Sequence, residues 1–347
     1  MHRPPKFPFF RSSTRKFITR SILIGASALI AFSYAQAQDE YQIDVPEGLP
    51  PVPVPDDNPM TAEKVELGKL LYFDTRLSED KTVSCASCHM PDYAYAEPLK
   101  TSEGIGGAVG ERNANTVINT AYATSMFWDG REPDLEHQAA GPVENPIEMG
   151  HDMAVVAEQL NEIEGYQERF QAVFGEPASR ETITKAIAAF ERTILSGNSP
   201  YDRGEMSEEA QAGMQLFNGK FMCATCHTPP LFSNWTFANA GVGIEAEEPD
   251  VGRMGVTGEA SDKGAFRVPH LREIEHTAPY MHDGSIETLE EAVRFMAEGG
   301  QDNPNLHPLF RAIKQMNATD EEVAQLTAFM KALSGEYPIV EEPELPQ

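Results

Sequence analysis

All four cysteines of this 347-residue chain fall in two copies of one pentapeptide pattern, C-x-x-C-H. The first copy spans residues 85–89 and the second spans residues 223–227. The pattern is typical of covalent c-type haem attachment. Two thiols on one turn can add to the two vinyl groups of a haem, and the adjacent imidazole then binds its iron. The sequence therefore predicts two covalently bound haem c groups, held by Cys85, Cys88 and His89 and by Cys223, Cys226 and His227.

Other uses of four cysteines fit the pattern less well. Two disulfides would be expected in a secreted chain of ordinary composition, but they would not explain the repeated spacing. A zinc site of the C-x-x-C…C-x-x-C kind leaves both adjacent histidines without a role and requires the two halves of the chain to share one metal. Haem attachment explains all six residues, so we expect no disulfide.

Residues 1–37 have the three parts of a secretory signal peptide. Six cations and no acid occur in this segment, the apolar stretch 21–34 follows the cationic part, and Ala35-Gln36-Ala37 forms an A-x-A cleavage site. A stretch of 14 residues is short for a transmembrane helix. The sequence predicts export to the periplasm, with an uncleaved N-terminal anchor as the alternative.

The composition is that of an acidic globular protein. Apolar residues make up 41% of the chain, and 54 acidic residues against 27 Lys and Arg give a formal charge of -27. This excess of acid argues against nucleic acid as a partner, because a phosphate backbone is bound through Lys and Arg. Basic partners are favoured instead. Because six cations lie in 1–37, residues 38–347 carry a formal charge of -33.

Helix signals precede both haem motifs. Thr61 and Ser207 are N-cap residues placed before amphipathic runs, and a third helical run covers 182–195. Thr288 opens a capping box before a helix that places Met296 on its apolar face. Strand-like alternation is scarce. The predicted fold is mainly α, with two cytochrome c-like haem domains in tandem, long loops and little sheet.

The Gly/Pro/Ser-containing stretch 196–200 is a natural boundary between the two haem domains. The predicted organisation is a signal peptide at 1–37, a Pro-rich extended arm at 38–57, an N-terminal haem domain at 58–198, a C-terminal haem domain at 199–335 and an acidic tail at 336–347.

Several further motifs occur in a fixed order around the two haem motifs. They are Arg112-Asn113, Phe127-Trp128-Asp129-Gly130-Arg131, Gln138, the run 141–149, the run 277–284 and Met296. With these motifs, the chain resembles the bacterial dihaem cytochrome c peroxidase family, which also contains the MauG-like enzymes. The resemblance covers roughly residues 50–335.

The resemblance implies a division of labour between the haems. The first would react with peroxide, and Phe127, Gln138 and Glu148 match residues on its distal side, with Glu148 as the proton shuttle. The second would transfer electrons, with Met296 as its sixth ligand. Trp128 matches the tryptophan that relays electrons between the haems.

The resemblance also implies a calcium site, formed by Asn113 with the backbone carbonyls of Thr277 and Pro279. Oxygen ligands of this kind suit a hard cation.

Some of these residues have simpler interpretations. A methionine on an apolar helix face, such as Met296, is commonly part of the core. Met281 and His282 are lesser candidates for the sixth ligand of the second haem. Trp128 alone would indicate a buried aromatic, and Glu148 alone a surface acid. The remaining histidines are interpreted as structural or surface residues: His137, His151, His270, His276 and His307.

One departure from the family pattern concerns activation. Many of these peroxidases hold the first haem inactive with a second histidine from the loop before the Arg-Asn motif. This chain has no histidine between His89 and His137, and the Gly-rich segment 103–110 takes that place. We expect the first haem to be five-coordinate or water-ligated at rest.

The expected function is reduction of hydrogen peroxide to water, with electrons from a basic cytochrome c or a small copper protein. One alternative is a MauG-like enzyme that oxidises residues of a partner protein, although that type of enzyme has a tyrosine where this chain has Met296. The other alternative is a non-enzymatic electron carrier or redox sensor. The resemblance is also compatible with a homodimer.

Overall fold

The computed structural model describes residues 41–347, and their regular structure is almost entirely helical. The helices are α1 (Ala62–Phe73), α2 (Cys85–Cys88), α3 (Leu135–Gln138), α4 (Ala140–Glu144), α5 (Met153–Asn161), α6 (Glu164–Phe174), α7 (Arg180–Glu191), α8 (Glu208–Asn218), α9 (Met254–Thr257), α10 (Leu289–Ala297), α11 (Pro308–Ile313) and α12 (Asp320–Lys331). The strands β1 (Phe237–Ala238) and β2 (Phe266–Arg267) form one short antiparallel ribbon. The predicted mainly α class with little sheet is confirmed.

The predicted signal peptide, residues 1–37, lies outside the described residues. Among the helices of residues 41–347, none combines the length and the apolar character that a membrane crossing requires.

In the first half of the chain, α1 packs against α7. As predicted, Thr61 caps α1, and its hydroxyl accepts a hydrogen bond from the Lys64 amide at 3.2 Å. Helix α7 ends at Glu191, so the prediction of a helical run through Leu195 was wrong at its C-terminal end. Beyond Glu191 the amides of Thr193 and Ile194 donate to carbonyls three residues back, at 2.9 and 3.0 Å, so the α-helical pattern stops, and the Ile194 carbonyl accepts the Asn119 amide at 2.9 Å.

The second half repeats this arrangement with α8 and α12. Ser207 caps α8 as predicted, and its hydroxyl accepts the Ala210 amide at 3.1 Å. The predicted capping box at Thr288 begins α10, where the Thr288 and Glu291 side chains bind each other's backbone amides. A cluster of aromatic rings fills the core between these helices, and it includes Phe217, Phe221, Phe232 and Phe329.

Both described ends of the chain lie across the first half. Residues 41–57 contain no helix or strand, and the hydroxyl of Tyr122 donates to the Pro50 carbonyl at 2.7 Å. At the other end, Arg76 donates to the Pro346 carbonyl at 3.0 Å, and Leu345 packs on the core beneath α5 and α6. The acidic segment 336–347 is therefore a packed part of the described structure.

Candidate functional site

The first C-x-x-C-H motif forms one wall of a cavity of about 550 Å³, which we call the first cavity. Helix α2 carries Cys85 and Cys88, and the Ser87 hydroxyl accepts the Ser84 amide at 3.0 Å where this helix begins. His89 follows and also lines the cavity. Burial lowers the pKa of the His89 imidazole, which keeps it in the neutral form that binds iron.

Phe127, Gln138 and Glu148 line the same cavity, so the structure brings the three predicted distal residues to one place. Gln138 is the last residue of α3. Phe127 has a left-handed backbone, with φ of 64°, and its carbonyl accepts a hydrogen bond from Arg267 at 3.1 Å. A non-glycine residue in this conformation requires support from its surroundings, and such residues concentrate at functional sites.

Glu148 is a partly buried carboxylate with one defined partner. Its Oε1 accepts a hydrogen bond from the side-chain NH2 group of Asn145 at 2.7 Å. Burial raises the pKa of Glu148, and the Asn145 hydrogen bond and the charge of Arg131 oppose that rise only in part. A carboxyl group with a raised pKa exchanges protons more readily near neutral pH, which is the property a proton shuttle needs.

The Gly-rich segment 103–110 closes one side of the first cavity. Its residue Ile105 donates its amide to the Glu148 carbonyl at 2.8 Å. A Cβ atom on Gly104 would lie only 2.1 Å from the Ile147 carbonyl oxygen, so glycine permits this close approach. Among the described residues that line the first cavity, His89 is the only histidine.

The second motif lies on a second cavity, of about 250 Å³. Cys223, Cys226 and His227 line it, and Met296 reaches it from α10. The Nδ1 atom of His227 lies 2.9 Å from the Phe232 carbonyl oxygen, which fits an Nδ1–H donor and leaves Nε2 free for a metal. Burial lowers the pKa of His227 as well.

The apolar face of α10 forms part of the wall of the second cavity. Leu289 and Val293 line the cavity together with Met296. The two lesser candidates, Met281 and His282, also line it, so placement alone does not separate the three possible ligands. The His282 ring stacks on Phe266, with 3.6 Å between the ring centroids.

Trp128 lines both cavities. Its indole nitrogen donates to the Asn113 carbonyl at 2.9 Å, and its own carbonyl accepts the Arg267 amide at 2.7 Å. The following residue, Asp129, pairs with Arg112 at 2.6 Å. These contacts come from both halves of the chain and hold the indole between the two C-x-x-C-H motifs.

The three residues predicted for calcium, Asn113, Thr277 and Pro279, all line the second cavity. The side-chain amide of Asn113 faces the carbonyl oxygens of Leu99 and Lys100, at 3.2 and 3.4 Å. The Asn113 NH2 group donates to these two carbonyls, so in this structure its contacts are those of a hydrogen-bond donor.

Sequence reasoning missed three buried polar residues at the cavities. Arg267 is 5% exposed and lines both of them, and burial lowers its pKa to about 10. Glu191 lines the first cavity, and burial raises its pKa to about 8. His270 was assigned a structural or surface role, and it is buried in the wall of the second cavity. Nothing in the local sequence marks these residues, because tertiary packing buries them.

The residues present fit two haem c groups. All four thiols are free, and each pair lies on the wall of its own cavity beside a partly buried histidine whose pKa is lowered by desolvation. Arg267 adds a buried cation where the cavities meet, which suits a cofactor that carries carboxylates. Fold and site together define a di-haem c-type protein with a tryptophan shared between its two cavities.

Comparisons with known proteins identify the family. Residues 62–211 match the family of di-haem cytochrome c peroxidases. The chain is 38% identical to cytochrome-c peroxidase IdrP1 of Denitromonas iodatirespirans, over 86% of this chain and 89% of that protein. It is 37% identical to the methylamine utilization protein MauG of Methylorubrum extorquens, over 85% of each. The chain therefore belongs to the di-haem cytochrome c peroxidase family.

A solved structure agrees with this assignment. A MauG-like protein associated with microbial copper homeostasis matches with a TM-score of 0.75 and 34% identity, over 85% of this chain and 96% of that one. The resemblance stated from the motifs is confirmed, and the family implies two haem c cofactors.

Proposed function

We propose that this protein is a di-haem c-type peroxidase that reduces hydrogen peroxide to water with electrons from a small periplasmic donor. One observation carries the proposal: the first cavity places Glu148, a carboxyl group with a raised pKa, in the same space as the Cys85–His89 motif. The peroxidase names of close relatives support it.

A haem held by Cys85, Cys88 and His89 would supply the redox chemistry of peroxide reduction. The protein's part is to move protons and to orient the substrate. Glu148 takes the proton from one peroxide oxygen and delivers it to the other, so that water is the leaving group. Asn145 holds the carboxyl group in place, and Gln138 and Phe127 limit the space available to the peroxide. Each peroxide consumes two electrons and two protons and yields two waters.

Electrons reach the first cavity from the second. Trp128 lines both cavities and provides an aromatic ring between them. Ligation by Met296 would raise the reduction potential of the second haem, which suits a site that accepts electrons from an external carrier.

The proposal is tested with Glu148→Gln, which keeps the size of the side chain and removes its proton-accepting oxygen. We expect a loss of peroxide turnover of about 10²–10⁴-fold, the usual contribution of general acid–base catalysis, with unchanged haem content. The acid limb of the pH–rate profile should also disappear, because a protonated Glu148 cannot accept the peroxide proton. Steady-state oxidation of a reduced cytochrome c measures both.

The control is Glu144→Gln. Glu144 lies four residues earlier, is exposed, and pairs with Arg180 at 3.3 Å. This variant should keep wild-type turnover. Unchanged turnover in Glu148→Gln would remove Glu148 from the mechanism.

We also propose that the enzyme works without reductive activation. His89 is the only histidine among the described lining residues of the first cavity, and the Gly-rich segment 103–110, which contains no histidine, is held against Glu148. The oxidised, purified protein should react with peroxide without prior reduction and should show a high-spin ferric haem by EPR. A spectrum with bis-histidine ligation at the first haem would contradict this.

A MauG-like activity is the second candidate, because MauG is among the similar proteins and the first cavity has no second histidine among its described lining residues. Met296 argues against it, since that type has a tyrosine in this place. A true peroxidase turns over rapidly with reduced cytochrome c or a small copper protein, a MauG-like enzyme turns over slowly, and an electron carrier does not react.

Two further assignments accompany the proposal. Calcium at Asn113, Thr277 and Pro279 is supported by the position of all three residues on the wall of the second cavity. Export to the periplasm is supported by the cationic and apolar segments of residues 1–37 and by two C-x-x-C-H motifs that use every cysteine.

A further inference from the structure

Three tyrosine rings form a continuous path from the first haem motif to the C-terminal segment. We propose that Tyr72, Tyr95 and Tyr337 act as an electron relay, and that Tyr337 is a second oxidation site for phenolic substrates. The inference rests on the proposed peroxidase function, because peroxide reduction at the first cavity supplies the oxidising equivalents.

The path begins at the haem-binding motif itself. Tyr72 is fully buried, and its hydroxyl donates to the His89 carbonyl at 2.7 Å. Cys85 packs against the apolar cluster to which Tyr72 belongs. The first tyrosine is therefore in direct contact with the peptide that would carry the haem.

Two equal steps lead outward from Tyr72. The Tyr72 and Tyr95 ring centroids are 6.4 Å apart, and those of Tyr95 and Tyr337 are also 6.4 Å apart. Both pairs are edge-to-face, at 61° and 72°. Tyr95 is fully buried, whereas Tyr337 is partly exposed in the segment that follows α12.

Packing alone does not require tyrosine at these positions. Phenylalanine would fill the same space without a buried hydroxyl that needs a partner, and Tyr72 does pack against Phe73 and Phe190. A phenol, however, is oxidised more easily than a phenyl ring. Tyrosine at each of three consecutive ring positions therefore gives a conducting path that phenylalanine would not.

The surroundings of the three hydroxyl groups determine which tyrosine becomes the stable radical. Tyr72 and Tyr95 are fully buried and donate to the carbonyls of His89 and Pro338, at 2.7 and 2.8 Å, and a buried peptide carbonyl has no path by which to pass a proton on to solvent. These two rings conduct and keep their protons. Tyr337 is partly exposed, so bulk water can carry its proton away, and the oxidised residue is Tyr337.

The chemistry balances with a phenol as co-substrate. Tyr337 loses one electron through the relay to the first site and one proton to water, which leaves a neutral phenoxyl radical. A phenolic donor then returns one hydrogen atom. Two such cycles supply the two electrons and two protons that convert one hydrogen peroxide into two waters, and two phenoxyl radicals of the donor are released.

The charges around Tyr337 favour some phenols over others. Burial raises the pKa of the Tyr337 hydroxyl, and the negative charges of Glu273 and Asp92 raise it further. Glu336 is exposed beside it. Anionic reductants are repelled by these acids, so the expected substrates are uncharged or cationic phenols.

The experiment uses the holoprotein with hydrogen peroxide and 2-methoxyphenol, an uncharged phenol, without a cytochrome donor. In Tyr337→Phe, phenol oxidation should fall at least fivefold, and the tyrosyl EPR signal of the freeze-quenched wild type should be lost. Peroxide reduction with reduced cytochrome c should stay unchanged. Tyr95→Phe should reduce both phenol oxidation and the radical signal, because it interrupts the relay.

The matched control is Tyr93→Phe, since Tyr93 is 47% exposed and lies two residues before Tyr95. It should behave as wild type. Wild-type phenol oxidation and radical signal in Tyr337→Phe, with cytochrome-dependent turnover intact, would overturn the relay and leave the peroxidase proposal standing. Failure of the wild type to consume peroxide with any donor would overturn both.

Discussion

Asp202 and Arg272 form a buried ion pair that ties the segment after α7 to the segment before α10. Their side chains are 2% and 0% exposed, and two nearly parallel hydrogen bonds of 2.7 and 2.8 Å join them. Asp202 also accepts hydrogen bonds from the amide and hydroxyl of Ser199. Both charges are thus compensated, which is the condition for keeping charges away from water.

Removing one charge of this pair should be strongly destabilising. In Asp202→Asn the buried guanidinium loses its counter-charge, so we expect the free energy of unfolding to fall by about 3–5 kcal/mol. Denaturant titration of the holoprotein measures it. Asp302→Asn breaks the exposed Asp302–Arg311 pair and should cost about 0–1 kcal/mol. Equal losses in the two variants would contradict this account.

The Asp202–Arg272 pair should make the free energy of unfolding depend on pH. Burial alone would raise the pKa of Asp202, but the hydrogen bonds from Arg272 and Ser199 outweigh it and lower the pKa in the folded state. The stability contributed by Asp202 is therefore present above the unfolded-state pKa and is lost as the pH falls through the folded-state pKa. Asp202→Asn should flatten the acid side of the stability curve.

Residues whose spacing is dictated by chemistry could be predicted from the sequence. Cys85, Cys88 and His89 must follow one another on a single turn, so the motif alone located the first cavity. Arg267 and His270 gave no such signal, because their importance comes from burial at a wall that segments from both halves of the chain form. Spacing predicts groups that act through one local turn, and it does not predict groups that converge from distant segments.

At the scale of elements, each half of the chain contains a pair of helices that cross in the same way. Gly68 of α1 faces α7, where a Cβ atom would lie 1.9 Å from the Ala186 carbonyl oxygen. Gly213 of α8 faces α12, where a Cβ atom would lie 1.9 Å from the Gln325 carbonyl oxygen. Each glycine precedes a C-x-x-C-H motif in sequence. The close crossing of each pair is therefore part of the repeat.

An alanine at the second crossing should push the helices apart. For Gly213→Ala we expect a loss of about 1–3 kcal/mol, the usual cost of overpacking a core, despite the better helix propensity of alanine. Thermal unfolding of the holoprotein measures it. In the control Gly255→Ala, the new methyl group would meet Val251 at an ordinary 3.5 Å. A Gly213→Ala protein as stable as wild type would show that the crossing can relax.

Helix beginnings were more predictable than helix ends. Capping by Thr61, Ser207 and Thr288 is a local interaction, and the structure has all three. After α7, Ile194 and Ser196 bond to Asn119, which lies far away in sequence, so the apolar run 182–195 could not reveal that they leave the helix. The packing of 336–347 is equally non-local, since an acidic, Pro-containing segment carries no signal of burial.

At the scale of the whole molecule, charge is the property that bears most on partners. Residues 38–347 carry a formal charge of -33, to which the carboxylates of two haems would add. A field of this sign attracts basic proteins over a distance set by the ionic strength and repels acidic ones. The charge thus acts on the encounter with a donor rather than on the chemistry of the cavities.

The rate of electron delivery should therefore depend strongly on salt. With a basic cytochrome c, the second-order rate constant should fall roughly tenfold or more between about 0.01 M and 0.15 M ionic strength, as the Debye length shrinks from about 30 to 8 Å. Stopped-flow oxidation of the reduced cytochrome measures it. The reaction with hydrogen peroxide is the internal control, because an uncharged substrate is not steered. A salt-independent rate with the basic cytochrome would mean that the acidic surface does not guide the donor.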